Sequence, residues 1–309
     1  MGSTLIATHA LRFVLRDRTV ALLGVLFVGL VLISAWLGWQ ATATVNRIYL
    51  DAAAFLAQAG QPVPDNPVTA ISPLSLLRNL SVYVVLIGAL AAIVIGHGLI
   101  NLDHKAGVLP LIGVRPLSRA SFVRGKIAAL IVLVAALVAL AAVASVVTLM
   151  LIPALVITPL QWAQLAGFFA ISGIYMLIFG LLGLACGAFA RSESVGLLIP
   201  VTIWLTLTFI FPQLTANLNP TAAINPIAAL APPPDTAFFH AAGQWLGSVS
   251  LADAYKFAAA RLLDLLPANV ASPALIPPLA VLGLALVATL LAAMRALTKL
   301  SMTEGDDNA

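Results

Sequence analysis

Only 8% of the 309 residues are Asp, Glu, Lys or Arg, against about 25% in soluble globular chains. So few charges cannot cover a water-facing surface. Cysteine is nearly absent too: Cys186 is the single one, so no intrachain disulfide can form. It lies in an apolar run, where a buried small hydrophobe is expected. The chemistry-bearing motifs are missing as well. No His-x-x-x-His, Cys-x-x-Cys or Met/His cluster gives metal-ligand spacing, so no metal site is expected. Neither a Gly-x-Ser-x-Gly elbow nor a pair of intramembrane carboxylates offers hydrolase machinery. No phosphate-binding Gly-x-x-x-x-Gly-Lys-Ser/Thr occurs, because Gly125-Lys126 is followed by Ile127. The net charge of +4 forms no basic stripe, which argues against nucleic acid as a partner.

Hydrophobic residues, by contrast, make up 62% of the chain. They gather in uncharged runs long enough to cross a bilayer, which takes about 20 helical residues. Six such segments stand out, roughly 20–39, 79–100, 127–152, 165–190, 195–214 and 274–294, none of them containing Asp, Glu, Lys or Arg. Prolines punctuate their ends: Pro153 and Pro159 follow the third, Pro212 closes the fifth, and Pro273, Pro277 and Pro278 open the sixth. Trp36, Trp39, Trp162 and Phe211 stand near the run ends, where amphipathic rings favour the membrane interface. The expected fold is therefore all-α and polytopic, a single transmembrane domain of six helices over residues 1–309.

Basic residues collect in cytoplasmic loops. With the N-terminus inside, that side holds Arg12, Arg16, Arg18, Lys105, Arg115, Arg119, Arg124, Lys126, Arg191, Arg295 and Lys299. Only Arg47, Arg78, Lys256 and Arg261 fall outside. The asymmetry of eleven to four places both termini in the cytoplasm. The stretch from Arg12 to Ala43 loosely mimics a cleaved signal peptide, but its apolar run of 20 residues exceeds the usual h-region of about 7–15, so it reads as a retained first span. Residues 3–18 are amphipathic, with Arg12 and Arg16 one turn apart and Leu5, Ile6 and Phe13 available to lipid. They suit an interfacial helix or a plain basic flank, and the sequence leaves both open.

Two longer segments face outward. In 40–78 a helix-like run from Val45 to Ala59 is ended by Gly60, Pro62 and Pro64. In 215–272, Asn219-Pro220 and Asn225-Pro226 mark turns, and Ala231-Pro232-Pro233-Pro234 is a stiff extended piece. Ser250-Leu251-Ala252-Asp253 then forms a capping box. Leu251, Tyr255, Ala258, Leu262 and Leu265 share one face of the helix that follows, and Asp253, Lys256, Arg261 and Asp264 the other. This pattern predicts an interfacial or surface-packed helix on the outer side.

Charge is densest in the loop 101–126, between the second and third spans. Five of the eleven inner cations lie there, mixed with Leu109, Leu111, Ile112, Leu117 and Phe122. A loop that only fixes topology needs the cations but not the apolar residues. Both together suit a short helix that docks on a partner, with charges at its rim. The loop resembles the signature of ABC-2 type permeases, the membrane subunits of ATP-driven exporters. In that family the second span leads to an acidic residue, a glycine, a leucine-rich stretch, Pro-x-Ser-Arg and a later Gly-Lys. Those positions correspond here to Asp103, Gly107, Leu109 with Leu111 and Ile112, Pro116-Leu117-Ser118-Arg119, and Gly125-Lys126. Leu15-Arg16-Asp17-Arg18, the hinge Arg191-Ser192-Glu193-Ser194 and the long outer segment before the sixth span are similar to the family as well. The chain departs from the pattern at Asp103, where glutamate is usual, at His104-Lys105, where acidic residues are usual, and at Pro110, which would kink the leucine-rich stretch.

By that resemblance, 101–126 contains a coupling helix that fits a groove of a separate ATPase. Asp103, His104, Lys105, Gly107, Arg115, Pro116, Ser118, Arg119 and Lys126 are its expected contact residues. ATP and magnesium would belong to that partner, leaving no cofactor in this chain. A second permease copy or a homologue, membrane lipids and an extracytoplasmic accessory protein are the other implied partners, and the bacterial cytoplasmic membrane is the implied location. One branch of the family serves nitrous-oxide-reductase maturation, though no residue here argues for copper or sulfur cargo. Tyr175, Thr202 and Thr206 are candidates to line a pathway; threonine back-bonding to its own helix is the competing expectation. Ion-coupled carriers usually keep an ionisable group in the membrane, and the charge-free spans disfavour that class. A non-transporting anchor that recruits a cytoplasmic partner through the same loop is the alternative function.

Overall fold

The computed structural model describes residues 2–14, 17–66, 72–105, 118–151, 157–190, 192–212, 237, 241, 250–265 and 274–300. Among these, all regular structure is helical. The main elements are α1 (Gly2–Val14), α2 (Arg18–Gln58), α3 (Arg78–Tyr83), α4 (Ala89–Lys105), α5 (Arg119–Leu151), α6 (Pro159–Phe189), α7 (Glu193–Leu205), α8 (Leu251–Leu262) and α9 (Ile276–Lys299). A 3-10 turn, Pro73–Leu77, leads into α3; π-helical turns Val84–Gly88 and Thr206–Ile210 follow α3 and α7. Among the described residues six helical stretches are long and apolar enough to cross a membrane: Arg18–Gln58, Pro73–His104, Arg119–Leu151, Pro159–Phe189, Glu193–Ile210 and Ile276–Lys299. The protein is an all-α, multi-pass membrane protein.

The capping signals explain where the helices begin. Asp17 accepts from the Thr19 amide at 2.8 Å and starts α2. Thr158 and Gln161 form a reciprocal capping box at α6, with Pro159 in its first turn. Ser192 caps α7, and the prolines Pro277 and Pro278 open α9, where their missing N–H groups leave no orphan.

α6 is the centre of the bundle. It packs most extensively on α4, then on α9, and also touches α5, α7 and α8. The α4–α6 crossing is close because it is made of glycines. A side chain at Gly96 would overlap the Gly180 carbonyl, and one at Gly183 would overlap that of Ile93. Without a hydrophobic force between helices in lipid, such backbone contact is a main source of association. By contrast α2, α5 and α9 leave large apolar side chains exposed, including Val25, Val143 and Leu284, as lipid-facing helices do.

Three elements differ from their sequence-based outlines. The first span and the run 45–59 are one helix of 41 residues, about 60 Å long at 1.5 Å per residue. Nothing in 40–44 breaks it, and Gly60, at φ +68°, supplies the left-handed residue just past its end. Beyond Gly60 the chain folds back on it: Tyr49 Oη donates to Pro64 O at 2.8 Å, and Asn66 Nδ2 to Asn46 Oδ1 at 2.8 Å. Second, α1 packs along α5, with Ile6 and Ala10 buried. Third, α8 packs on the bundle by its apolar face, as expected, but that face is wider than the apolar stripe. Leu251, Ala252, Tyr255, Ala258, Ala259 and Leu263 are buried, and it packs against α6 and α9. Leu251, Tyr255 and Ala258 lie on the expected buried face, the alanines widen it, and Asp253, Lys256 and Arg261 are half-buried with Asp264 exposed.

Candidate functional site

The expected coupling segment 101–126 is partly helical in the structure: α4 runs on through Lys105, and α5 begins at Arg119. Of the expected contact residues, Gly107, Arg115 and Pro116 lie outside the described residues, as does the leucine-rich stretch 109–112. The structure brings the two ends of the segment together. Asp103, near the end of α4, and Lys126, in the second turn of α5, form an ion pair of 2.5 Å. Both are buried, at 3% and 1% exposure. The ammonium also donates to Leu99 O at 2.6 Å and lies 5.6 Å from the Phe122 ring centroid. A buried charge is tolerated when its partners are this close, because each compensates the other's lost hydration. The geometry places Asp103 and Lys126 inside the bundle rather than on a docking rim, where they clamp α4 to α5 on either side of the segment.

Ser118 and Arg119 also have defined work. Ser118 Oγ accepts from the Ser121 amide at 3.3 Å and lies 2.9 Å from Ser121 Oγ, and its carbonyl receives the first amides of α5. It is the N-cap of that helix. Arg119 donates through Nη1 to Thr298 O at 2.9 Å. That carbonyl belongs to the last turn of α9, where carbonyls have no helical partner and a cation is favoured. The start of α5 is thus tied to the end of α9. His104 Nδ1 lies 3.2 Å from Ile100 O, and Lys105 is the last residue of α4.

Next to this joint, α4, α6 and the turn into α7 line a half-open pocket of about 330 Å³, formed by His97, Asn101, His104, Gly187, Ala190, Ser192 and Glu193 among the described residues. Asn101 Nδ2 donates to Glu193 Oε1 at 2.7 Å, so the hinge before α7 is pinned to α4.

The candidate pathway residues separate. Tyr175 is fully buried between α6 and α8, its ring 4.6 Å from that of Tyr255 and 5.1 Å from that of Phe179. Ser172 donates to Phe168 O at 2.7 Å, which leaves Tyr255 Oη, 2.9 Å away, to donate to the serine. Thr202 is exposed; Thr206 back-bonds to its carbonyl at 2.9 Å, and its side chain is half-buried. Trp204, which composition did not single out, donates to Val85 O at 3.0 Å, inside the π-helical turn of the second span. A π turn displaces carbonyls from the ordinary ladder, and the indole satisfies one of them. A larger apolar groove of about 610 Å³ lies between α2 and α5, lined by Leu32, Ile33, Trp36, Trp39, Thr148 and Leu151.

A family profile described as ABC-2 family transporter protein matches the sequence over residues 4–301. The chain belongs to the ABC-2 family of transporter proteins. The match takes in the joint, the hinge at 191–194 and the buried α8 alike. No curated protein matches the chain. As an ABC-2 permease the chain is the membrane component of a transporter, and its family as a rule works with an ABC ATPase.

Proposed function

We propose that this ABC-2 permease forms the translocation pathway of an exporter and receives the work of ATP hydrolysis from a separate ATPase through residues 101–126. The observation that supports this reading most is the joint around that segment. Helices α4, α5 and α9 converge where the segment leaves and re-enters the bundle. An ion pair, a helix cap and an arginine-to-carbonyl bond fasten them. A load applied to 106–117 would therefore reach α4 and α5 together, and through the glycine crossing it would reach α6. In this reading Arg115 and the apolar residues 109–112 meet the ATPase, while Asp103, Ser118, Arg119 and Lys126 transmit. ATP and magnesium stay with the partner, both termini are cytoplasmic, and the membrane is the bacterial inner membrane. A second permease copy completes the pathway. The apolar groove between α2 and α5 favours a hydrophobic or amphiphilic cargo.

The test is co-purification of the full chain with its ATPase. Arg115→Glu is expected to release the ATPase, whereas Arg119→Ala should retain it and lower the ATP-driven transport rate. Inside-out vesicles accumulating cargo on ATP addition would establish the outward direction. A chain that never binds an ATPase, with loop variants indistinguishable from the parent, would overturn the exporter reading.

A further inference from the structure

Two of the spans depart from α-helical geometry, and they do so where they face each other. The π-helical turn Val84–Gly88 interrupts the second span, and Thr206–Ile210 closes the fifth. The Ala89 amide reaches Val84 O, and the Phe211 amide reaches Thr206 O, each five residues back. A π turn inside a helix takes its carbonyls out of the ordinary ladder and is frequent at functional sites. Trp204, just before the second turn, donates through Nε1 to Val85 O within the first at 3.0 Å. Its ring is 7% exposed and meets that of Phe209 edge-on, with centroids 6.1 Å apart.

Each turn divides a firmly packed inner length from a lightly packed outer end. On the inner side α4 is locked to α6 by the glycine crossing, and α7 lies against both. Beyond the first turn, apart from its chain neighbours, α3 packs mainly on α2 and α8; Thr206–Ile210 itself packs mainly on α8. Pro200, one turn before Trp204, withholds a further helical bond from the fifth span. Thr208 in the second turn and Tyr175 on α6 are both buried. Their hydroxyls are close neighbours but stop short of a hydrogen bond. A buried hydroxyl left so is costly, and a small rotation of the second turn has that bond to gain.

We propose that the two π turns are hinges on which the outer ends of the second and fifth spans move during transport, and that the bond from Trp204 to Val85 is the latch that holds them in the arrangement seen here. The indole has a single N–H to give, so the latch is either made or broken. Exchanging a bond to the fifth residue back for one to the fourth lets the segment beyond the turn tilt while its amides stay paired. The proposal rests on the family's transport activity and on no particular route for the work of ATP.

The test needs neither ATPase nor cargo. The full chain, with Cys186→Ala, carries pairs of nitroxide labels in nanodiscs and is diluted with unlabelled chain, so that distances are measured within one copy. Asn79→Cys with Ile210→Cys reports the outer ends, and His104→Cys with Ser194→Cys the inner ones; all four positions are exposed. Trp204→Phe keeps an aromatic ring and removes the N–H. Double electron–electron resonance is expected to show a second outer distance whose share rises about fivefold over the parent's, with the inner distance unchanged. Deleting Leu207 shortens the second turn by one residue, and added to Trp204→Phe it should remove the second distance. An outer distribution in Trp204→Phe that matches the parent's overturns the proposal. So does an inner pair that shifts with the outer one, or a second distance that survives the deletion. If the deletion variant misfolds, the comparison of Trp204→Phe with the parent decides alone. Loss of ATPase binding would leave these distances untouched, so the coupling reading and this one fail separately.

Discussion

Two joints hold α6 and its neighbours together, and they are built on opposite principles. The inner one, around Asp103 and Lys126, joins α4 to α5 with full charges whose partners lie within 2.6 Å. The outer one, around Ser172, Tyr175 and Tyr255, joins α6 to α8 with neutral hydroxyls and stacked rings. Both are buried. The difference lies in what happens when one partner is removed. A lone buried charge has lost its hydration with nothing in return, whereas a lone hydroxyl can turn back to its own helix, as Ser172 already does toward Phe168. The inner joint is therefore intolerant and specific, and the outer one forgiving. The same contrast fits their places: the joint beside the proposed motor contact must carry load without slipping.

The comparison can be broken most directly at Lys126. Lys126→Ala leaves Asp103 buried without its cation, and we expect a loss of roughly 3–5 kcal/mol, read as a large drop in thermal stability of the detergent-purified chain. A smaller effect is expected when both charges go: Asp103→Leu with Lys126→Met should recover most of that loss, since well-packed apolar pairs replace buried ion pairs at little cost. If transport stays impaired in that stable double variant, the ion pair serves coupling rather than folding. At the outer joint Tyr255→Phe keeps the ring and removes one hydroxyl; about 0.5–1.5 kcal/mol is expected, seen as a modest melting shift. A larger fall there than at Lys126 would reverse the contrast. The smallest effect belongs to Arg119→Ala, whose side chain is exposed. Its melting temperature should match the parent's, so that any change in transport isolates the tie to Thr298.

Much of this was legible along the chain. The six spans and the N-cap at Ser250 follow from local patterns, since periodicity and caps act over a few residues. Thr206 shows the back-bonding that competed with a pathway role. The pairings were not legible. Asp103 and Lys126 are 23 positions apart, Asn101 and Glu193 are 92 apart, and Ser172 and Tyr255 are 83 apart. No periodicity links such positions, so along the chain Lys126 is a docking residue of the Gly-Lys signature, and the alternation over 251–265 shows a packed face without showing which helices cover it.

By itself, then, the sequence determined that this protein lies in a membrane, how often it crosses, and which segment bears its signature. Hydration of charge and the length of an apolar helix decide those points without reference to any neighbour. Only the tertiary structure decided which charges face water and which face each other. Burial of Lys126 depends on α4 lying beside α5, with Leu99 O 2.6 Å from the ammonium, and a contact between residues 27 positions apart exists only once the helices have packed.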